Sequence, residues 1–166
     1  MKYEQAKNKF IQSWGTLGTN WGINRTMAQI HALLLVSTKS LSTEEIMHEL
    51  KVSRGNANMN IRALMDWGLA EKELKPGQRK EYFFTNKDIH ETSRKIIENR
   101  RKKEIDPVLK IMQELEGFKG TDKDSKELRK IVSEINKLTG VLNKMVSKYM
   151  NSDSNWLFKS LVKIMG

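Results

Sequence analysis

The sequence predicts a mostly α-helical fold with one small β-hairpin, arranged as a winged helix-turn-helix with helical extensions before and after it. Three observations lead there. Two capped helices joined by a short turn fill Leu41 to Trp67. A Pro-Gly turn between two short β-prone stretches follows directly. Most of the remainder places apolar residues three and four apart, and with only 2 Pro in 166 residues long helices run unbroken.

In the first segment Tyr3, Phe10, Trp14, Leu17 and Trp21 form one apolar helical stripe. Gly15, Gly18 and Gly22 lie beside it. Small residues at that spacing admit another backbone, at a cost in helix propensity, and the segment reads as a helix packed on a partner subunit. Asn24 is an N-cap for a helix from Arg25 to about Val36 that buries Met27, Ile30, Leu33 and Leu34. After a polar turn at Ser37–Ser40, Ser42 and Glu45 make a capping box, with Leu41 and Ile46 as its hydrophobic staple. That helix turns Ile46, Met47 and Leu50 inward and ends near Lys51-Val52. Ser53 caps the next helix, which runs to about Trp67 and is stopped by Gly68. Ala70–Leu74 and Glu81–Thr85 read as strands around the turn Lys75-Pro76-Gly77-Gln78.

From about Asp88 to Glu116 the pattern is helical, and Pro107 either kinks this helix or starts a new one after Asp106. A polar loop covers Gly117–Asp124. Leu128, Ile131, Ile135, Leu138, Leu142, Met145 and Tyr149 then alternate three and four apart, a coiled-coil seam that suits either a homodimer or an intramolecular three-helix packing. A short terminal helix would carry Trp156, Leu157, Leu161 and Ile164. The expected organisation is an N-terminal dimerisation helix (1–23), a winged helix-turn-helix (24–87) and a C-terminal helical dimerisation region (88–166).

Composition narrows the function. Thirty Lys and Arg against 20 Asp and Glu leave a formal charge of +10, which attracts polyanions, nucleic acid first among them. With 0 Cys there is no disulfide framework and no thiolate metal site. Met1–Gln5 opens no apolar signal region, and no apolar run approaches the roughly 20 residues of a membrane span, so a soluble cytoplasmic protein is expected. His31, His48 and His90 stand apart without metal-ligand spacing, and each reads as a satisfied or exposed side chain. The glycines match neither a P-loop nor a dinucleotide fingerprint. No catalytic, cofactor or metal site is expected.

The helix after Ser53 carries the functional signal. Ala57, Ile61, Leu64 and Met65 cluster on its core face. The opposite face presents Gly55, Asn56, Met59, Arg62 and Ala63, flanked by Arg54 and Asn58 on one side and Asn60 on the other. Such a face suits the major groove. Asn pairs with adenine, Arg with guanine, and Met59 and Ala63 reach thymine methyls. Gly55 and the cap at Ser53 admit a phosphate near the helix N-terminus. Asn56, Asn58 and Asn60 in one helix lower its stability without an evident local gain, which favours a role in groove contact. At the hairpin tip Lys75, Gln78, Arg79 and Lys80 suit phosphate or minor-groove contact, partly offset by Glu71, Glu73 and Glu81. Arg100–Lys103 suits either flanking phosphates or a solvated helix face.

The stretches Phe10–Gly15, Trp21–Leu34, Leu41–Ile46, Val52–Asn56, Asp66–Leu69 and Pro76–Tyr82 resemble the GbsR branch of the MarR-like regulators. The resemblance covers roughly the first two-thirds of the chain. It implies a winged helix, a homodimer built from terminal helices and transcriptional control, usually repression. It places the recognition helix at Ser53–Trp67 and the wing at Leu69–Phe84. Some relatives respond to choline or glycine betaine, which leaves room for a small-molecule effector whose identity does not transfer. A cationic effector would need an aromatic cage, for which Trp14, Trp21, Trp67 and Tyr3 are available; core or dimer packing is the plainer use of these rings. Residues and resemblance together point to a sequence-specific double-stranded DNA-binding regulator, a repressor on a pseudo-palindromic operator. The rivals are a winged helix used for protein assembly and an RNA-binding module, the latter lacking aromatic stacking platforms.

Overall fold

The computed structural model describes residues 1–20 and 22–151. Trp21 and the terminal segment with Trp156, Leu157, Leu161 and Ile164 lie outside the described residues. The chain divides into two compact units, Met1–Lys95 and the residues from Ile96 onward.

In the first unit α1 (Tyr3–Asn20), α2 (Arg25–Val36), α3 (Thr43–Leu50) and α4 (Arg54–Asp66) surround one core. Strands β1 (Leu41–Ser42), β2 (Glu71–Leu74) and β3 (Glu81–Phe84) form an antiparallel sheet in the order β1-β3-β2. The helices start where the caps predict. Asn24 Oδ1 accepts from the Thr26 and Met27 amides at 2.9 and 3.2 Å. Ser42 and Glu45 close the capping box, with the Ser42 amide donating to Glu45 at 2.8 Å. Lys39 and the Ser42 amide hold the Glu45 carboxyl down to about 2. Ser53 Oγ accepts from the Asn56 amide at 3.3 Å. Each such cap is worth about 1 kcal/mol. Gly68, at φ +67°, ends α4 as expected.

The core is built from Ile30, Leu33 and Leu34 of α2, Ile46 of α3, and Ile61 and Leu64 of α4, all essentially fully buried. Burying one such side chain favours folding by about 1.5–3 kcal/mol. Phe83 anchors the hairpin to this core. β2 is exposed along its length, so the hairpin stands out as a single layer. Thr85 Oγ1 donates to Leu69 O at 2.7 Å and ties the two ends of the hairpin together.

The glycine face of α1 is used inside the chain. Gly15 and Gly18 are buried against α2, and a Cβ on Gly18 would stand 2.6 Å from Ala28 Cβ. Ile11 joins them in the core. The expected stripe is thus displaced. Phe10 and Trp14 are half-buried, while Tyr3 and Leu17 remain on the surface. Trp14 packs against Phe10 and His31, with ring centroids 5.5 and 6.2 Å apart.

Three features depend on contacts that the local sequence does not signal. β1 extends the hairpin into a three-stranded sheet, pairing Leu41 with Phe83 and Ser42 with Tyr82. Lys51, in the turn between α3 and α4, takes a left-handed conformation (φ 54°) that usually falls to Gly or Asn. Lys87 reaches back to the end of α2 and donates to the carbonyls of Leu34, Leu35 and Ser37 at 2.7, 2.6 and 2.5 Å. An ammonium there satisfies orphan carbonyls and opposes the negative end of the helix dipole.

α5 (Ile89–Arg100) crosses the boundary between the units. A π-helical turn at Arg101–Ile105 follows, and α6 (Asp106–Glu116) starts there with Pro107 in its first turn, so Pro107 begins a new helix. α7 (Lys123–Asn151) packs on α6, with Val132 buried and Asn136 donating to Met112 O at 3.3 Å. The seam is largely open, from 38% exposure at Ile135 to 65% at Met145.

His31 is neither satisfied nor exposed. It is 2% exposed, its Nε2 has no hydrogen-bond partner among the described residues, and burial pushes its pKa down to about 4. The unfolded chain, with an ordinary value of 6.5, therefore takes up a proton before the folded one does. This contribution is constant above pH 6.5, and stability is lost as pH falls from there toward 4. Two to three pKa units at about 1.4 kcal/mol each make the loss about 3 kcal/mol. Urea titrations of the wild type and His31→Leu between pH 7 and 4 should show the variant gaining that amount relative to wild type; parallel curves would place His31 in solvent.

Candidate nucleic-acid interface

α4 buries one face and leaves the other to solvent. Ala57, Ile61 and Leu64 point into the core as expected, and Met65 is half-buried. Ser53, Arg54, Gly55, Met59 and Arg62 are exposed, Met59 at 60%, and Asn56, Asn58 and Ala63 are half-buried. A large apolar side chain that exposed serves no core purpose. No partner of the Arg62 guanidinium is found among the described residues.

Asn60 corrects the sequence reading. It is 3% exposed and belongs to the core face, not to the edge of the open one. Its Nδ2 donates to Asn56 O at 2.8 Å and to Asn56 Oδ1 at 2.6 Å. The signal was there: position 60 completes the 57-60-61-64 spacing of a buried helical stripe, and only its polarity argued otherwise. The Asn residues also bring the local gain that seemed missing. Asn60 fixes the amide of Asn56, and Asn58 Oδ1 accepts from the Thr43 hydroxyl at 3.4 Å.

In the hairpin Lys72, Lys75 and Lys80 each have a different partner. Lys75 is half-buried, with its ammonium 4.1 Å from the Tyr82 ring centroid. The Tyr82 hydroxyl donates to the Gln78 side chain. Glu81 binds Lys72 at 2.9 Å, which leaves Arg79 exposed with no carboxylate partner among the described residues. Lys80 lies 3.8 Å from Glu44 Oε2, and the other oxygen of that carboxylate accepts from Arg54 at 2.8 Å. The start of α4 and the end of the hairpin loop therefore meet at one side chain of α3. Its own backbone amide and then Arg54 hold the Glu44 carboxyl below its ordinary range.

A crystal structure of a transcriptional regulator superposes on 89% of this chain and 99% of its own, with a TM-score of 0.62 at 19% sequence identity. The fold is a winged helix-turn-helix. A transcriptional regulator from Thermotoga maritima covers 87% of this chain and 94% of its own, with a TM-score of 0.41 at 20% identity. No family model matches the sequence, and no curated protein does. In winged helix-turn-helix terms α3 and α4 are the two helices of the motif and the β2–β3 hairpin is the wing. No helix among the described residues is long and apolar enough to cross a membrane.

The burial of Asn60 marks where the core face of α4 ends and its open face begins. Asn60→Asp keeps the shape but turns a carboxylate toward two acceptor oxygens inside the core. It should lower the unfolding free energy by about 1–3 kcal/mol or more, read by thermal melting at pH 7. An unchanged melting temperature would mean that Asn60 faces water.

Proposed function

We propose that this protein is a sequence-specific double-stranded DNA-binding transcriptional regulator, a repressor of the MarR-like GbsR type that binds a pseudo-palindromic operator as a homodimer. The observation that carries the reading is the open face of α4. Gly55, Met59 and Arg62 are free of core duty, with Asn56 beside them oriented by Asn60, on the helix that this fold presents to the major groove, and the cationic wing adjoins its N-terminus. The formal charge of +10 supplies the long-range attraction to phosphate.

The residues divide by role. Arg62 and Asn56 have the hydrogen-bonding groups to read guanine and adenine edges, and Met59 the apolar surface to meet a thymine methyl. Ser53, Arg54 and Gly55 stand at the α4 N-terminus, where amides and helix dipole suit a phosphate. Arg79, its charge uncompensated, is the wing residue best placed to meet the backbone. Dimerisation rests on α7. Leu128, Ile131, Ile135, Leu138, Leu142 and Met145 form a seam that stays open in the single chain, and a second copy would cover it.

Two measurements test this reading. In fluorescence titrations, Arg62→Ala should lose about 1–3 kcal/mol on a duplex selected from a random library and much less on the unselected pool. Arg79→Ala should weaken both alike and lower the slope of log affinity against log salt by about one. Wild-type affinity of both variants for both duplexes would overturn the docking. Light scattering at micromolar concentration should give twice the chain mass, and Leu138→Glu with Leu142→Glu should return a monomer. A monomeric wild type would remove the dimer from the proposal.

A further inference from the structure

The geometry points to Glu44 as an intramolecular stand-in for DNA phosphate, one that holds Arg54 and Lys80 back from non-specific duplex and thereby raises discrimination. The inference rests on the DNA-binding reading above. Glu44 lies in the first turn of α3, outside the core, and its two oxygens face different elements. One is 2.8 Å from the Arg54 guanidinium, the other 3.8 Å from the Lys80 ammonium. All three side chains are well exposed, and although the N-terminus of α3 favours a carboxylate in its first turn, no core contact requires one at this position. The cap of α3 is supplied separately by Ser42 and Glu45. A planar group with two anionic oxygens between an arginine and a lysine presents to them what a phosphodiester presents.

The consequence follows from how phosphate binding works. Non-specific affinity scales with the number of cations that meet phosphates and release counterions. While Glu44 occupies Arg54 and Lys80, the interface offers two fewer of them. An exposed ion pair is weak, so a phosphate held in place by base contacts along α4 displaces the carboxylate, whereas a duplex that slides past without those contacts does not. Lys75 is engaged by Tyr82, and Arg62 and Arg79 remain available for first encounter. Glu44 thus subtracts more from random binding than from specific binding.

The test compares the wild type, Glu44→Gln, the pair Arg54→Gln with Lys80→Gln, and the triple variant. The probes are a random-sequence duplex pool and the strongest sequence selected from it, each titrated at several salt concentrations. Glu44→Gln should tighten binding to the random pool about threefold to tenfold at low salt and steepen its salt slope by about one to two. Its gain on the selected sequence should be smaller, so the specificity ratio falls, and Glu44→Ala should act in the same direction. The gain should vanish when Arg54 and Lys80 are also replaced. An unchanged or weaker affinity of Glu44→Gln for the pool overturns the inference, as does a gain that persists without the two cations, which would show only the loss of one negative charge. A wild type that binds neither probe even at low salt overturns the DNA reading and this inference together, whereas a binding wild type with an unresponsive Glu44→Gln overturns this inference alone.

Discussion

The packing of α4 against α2 is the constraint on which the rest of the first unit depends. Ala57, Ile61 and Leu64 must meet Ile30, Leu33 and Leu34, with Ile46 closing the side. Because a helix repeats every 3.6 residues, that choice settles the whole rotation of α4 about its axis. Gly55, Met59 and Arg62 are then outside by geometry, whatever their chemistry. The wing is placed by the same core. Phe83 is buried in it, and β3 sits between β2 and β1, so the sheet joins the wing to the residues that open α3. One set of apolar contacts thereby orients both the open face of α4 and the wing.

Charge shows a second layer of order over that core. The net surplus of cations conceals a local pattern in which many are already engaged: Lys7 by Glu49, Lys39 by Glu45, Lys72 by Glu81, Lys87 by three carbonyls. Surface pairs of this kind contribute little to stability, on the order of 0–1 kcal/mol each. Their larger effect is on where free positive charge is left. On the α4 and wing face it is left at Arg62 and Arg79, one on each element. A count of Lys and Arg predicts attraction to a polyanion; the pairing decides which side chains meet it first.

Much of this was legible in the sequence because the signals were local. Ser42 with Glu45, Asn24, Ser53 and Gly68 act within one turn of chain, and the helices they bound begin and end within a residue or two of expectation. What escaped was set by partners distant in sequence. β1 is two residues long and exists because Phe83 and Tyr82 lie alongside it. Lys87 caps a helix some fifty residues earlier. Asn60 reads as a flank of the open face because of its polarity, yet its position belongs to the buried stripe, and its partner Asn56 lies on the open face beside it. His31 is the opposite case, a polar residue that reads as ordinary in sequence but is enclosed beside Trp14 with its Nε2 unsatisfied among the described residues. The candidate DNA face was readable as a helix face. The meeting of Arg54 and Lys80 on Glu44 was not, since it joins residues from three elements.

The glycines of α1 bear on how a second copy would attach. Read from sequence, Gly15 and Gly18 invite another backbone, and a partner subunit was the natural candidate. In the structure α2 of the same chain fills that place, so closely that a methyl group on Gly18 would overlap Ala28. An α1 so engaged has no glycine face left to offer, and of its large apolar side chains Tyr3 and Leu17 stay exposed. The seam of α7 differs in kind. It is part of a 29-residue helix whose neighbour α6 buries Val132 and leaves the large residues on either side substantially open. Side chains left 38–65% exposed forgo only part of the roughly 1.5–3 kcal/mol that burying each one fully would bring. A helix gains most of its stability from packing an apolar face rather than from propensity. The close packing that the glycines encode is spent within the chain, and the open apolar array lies on the last helix described, not the first.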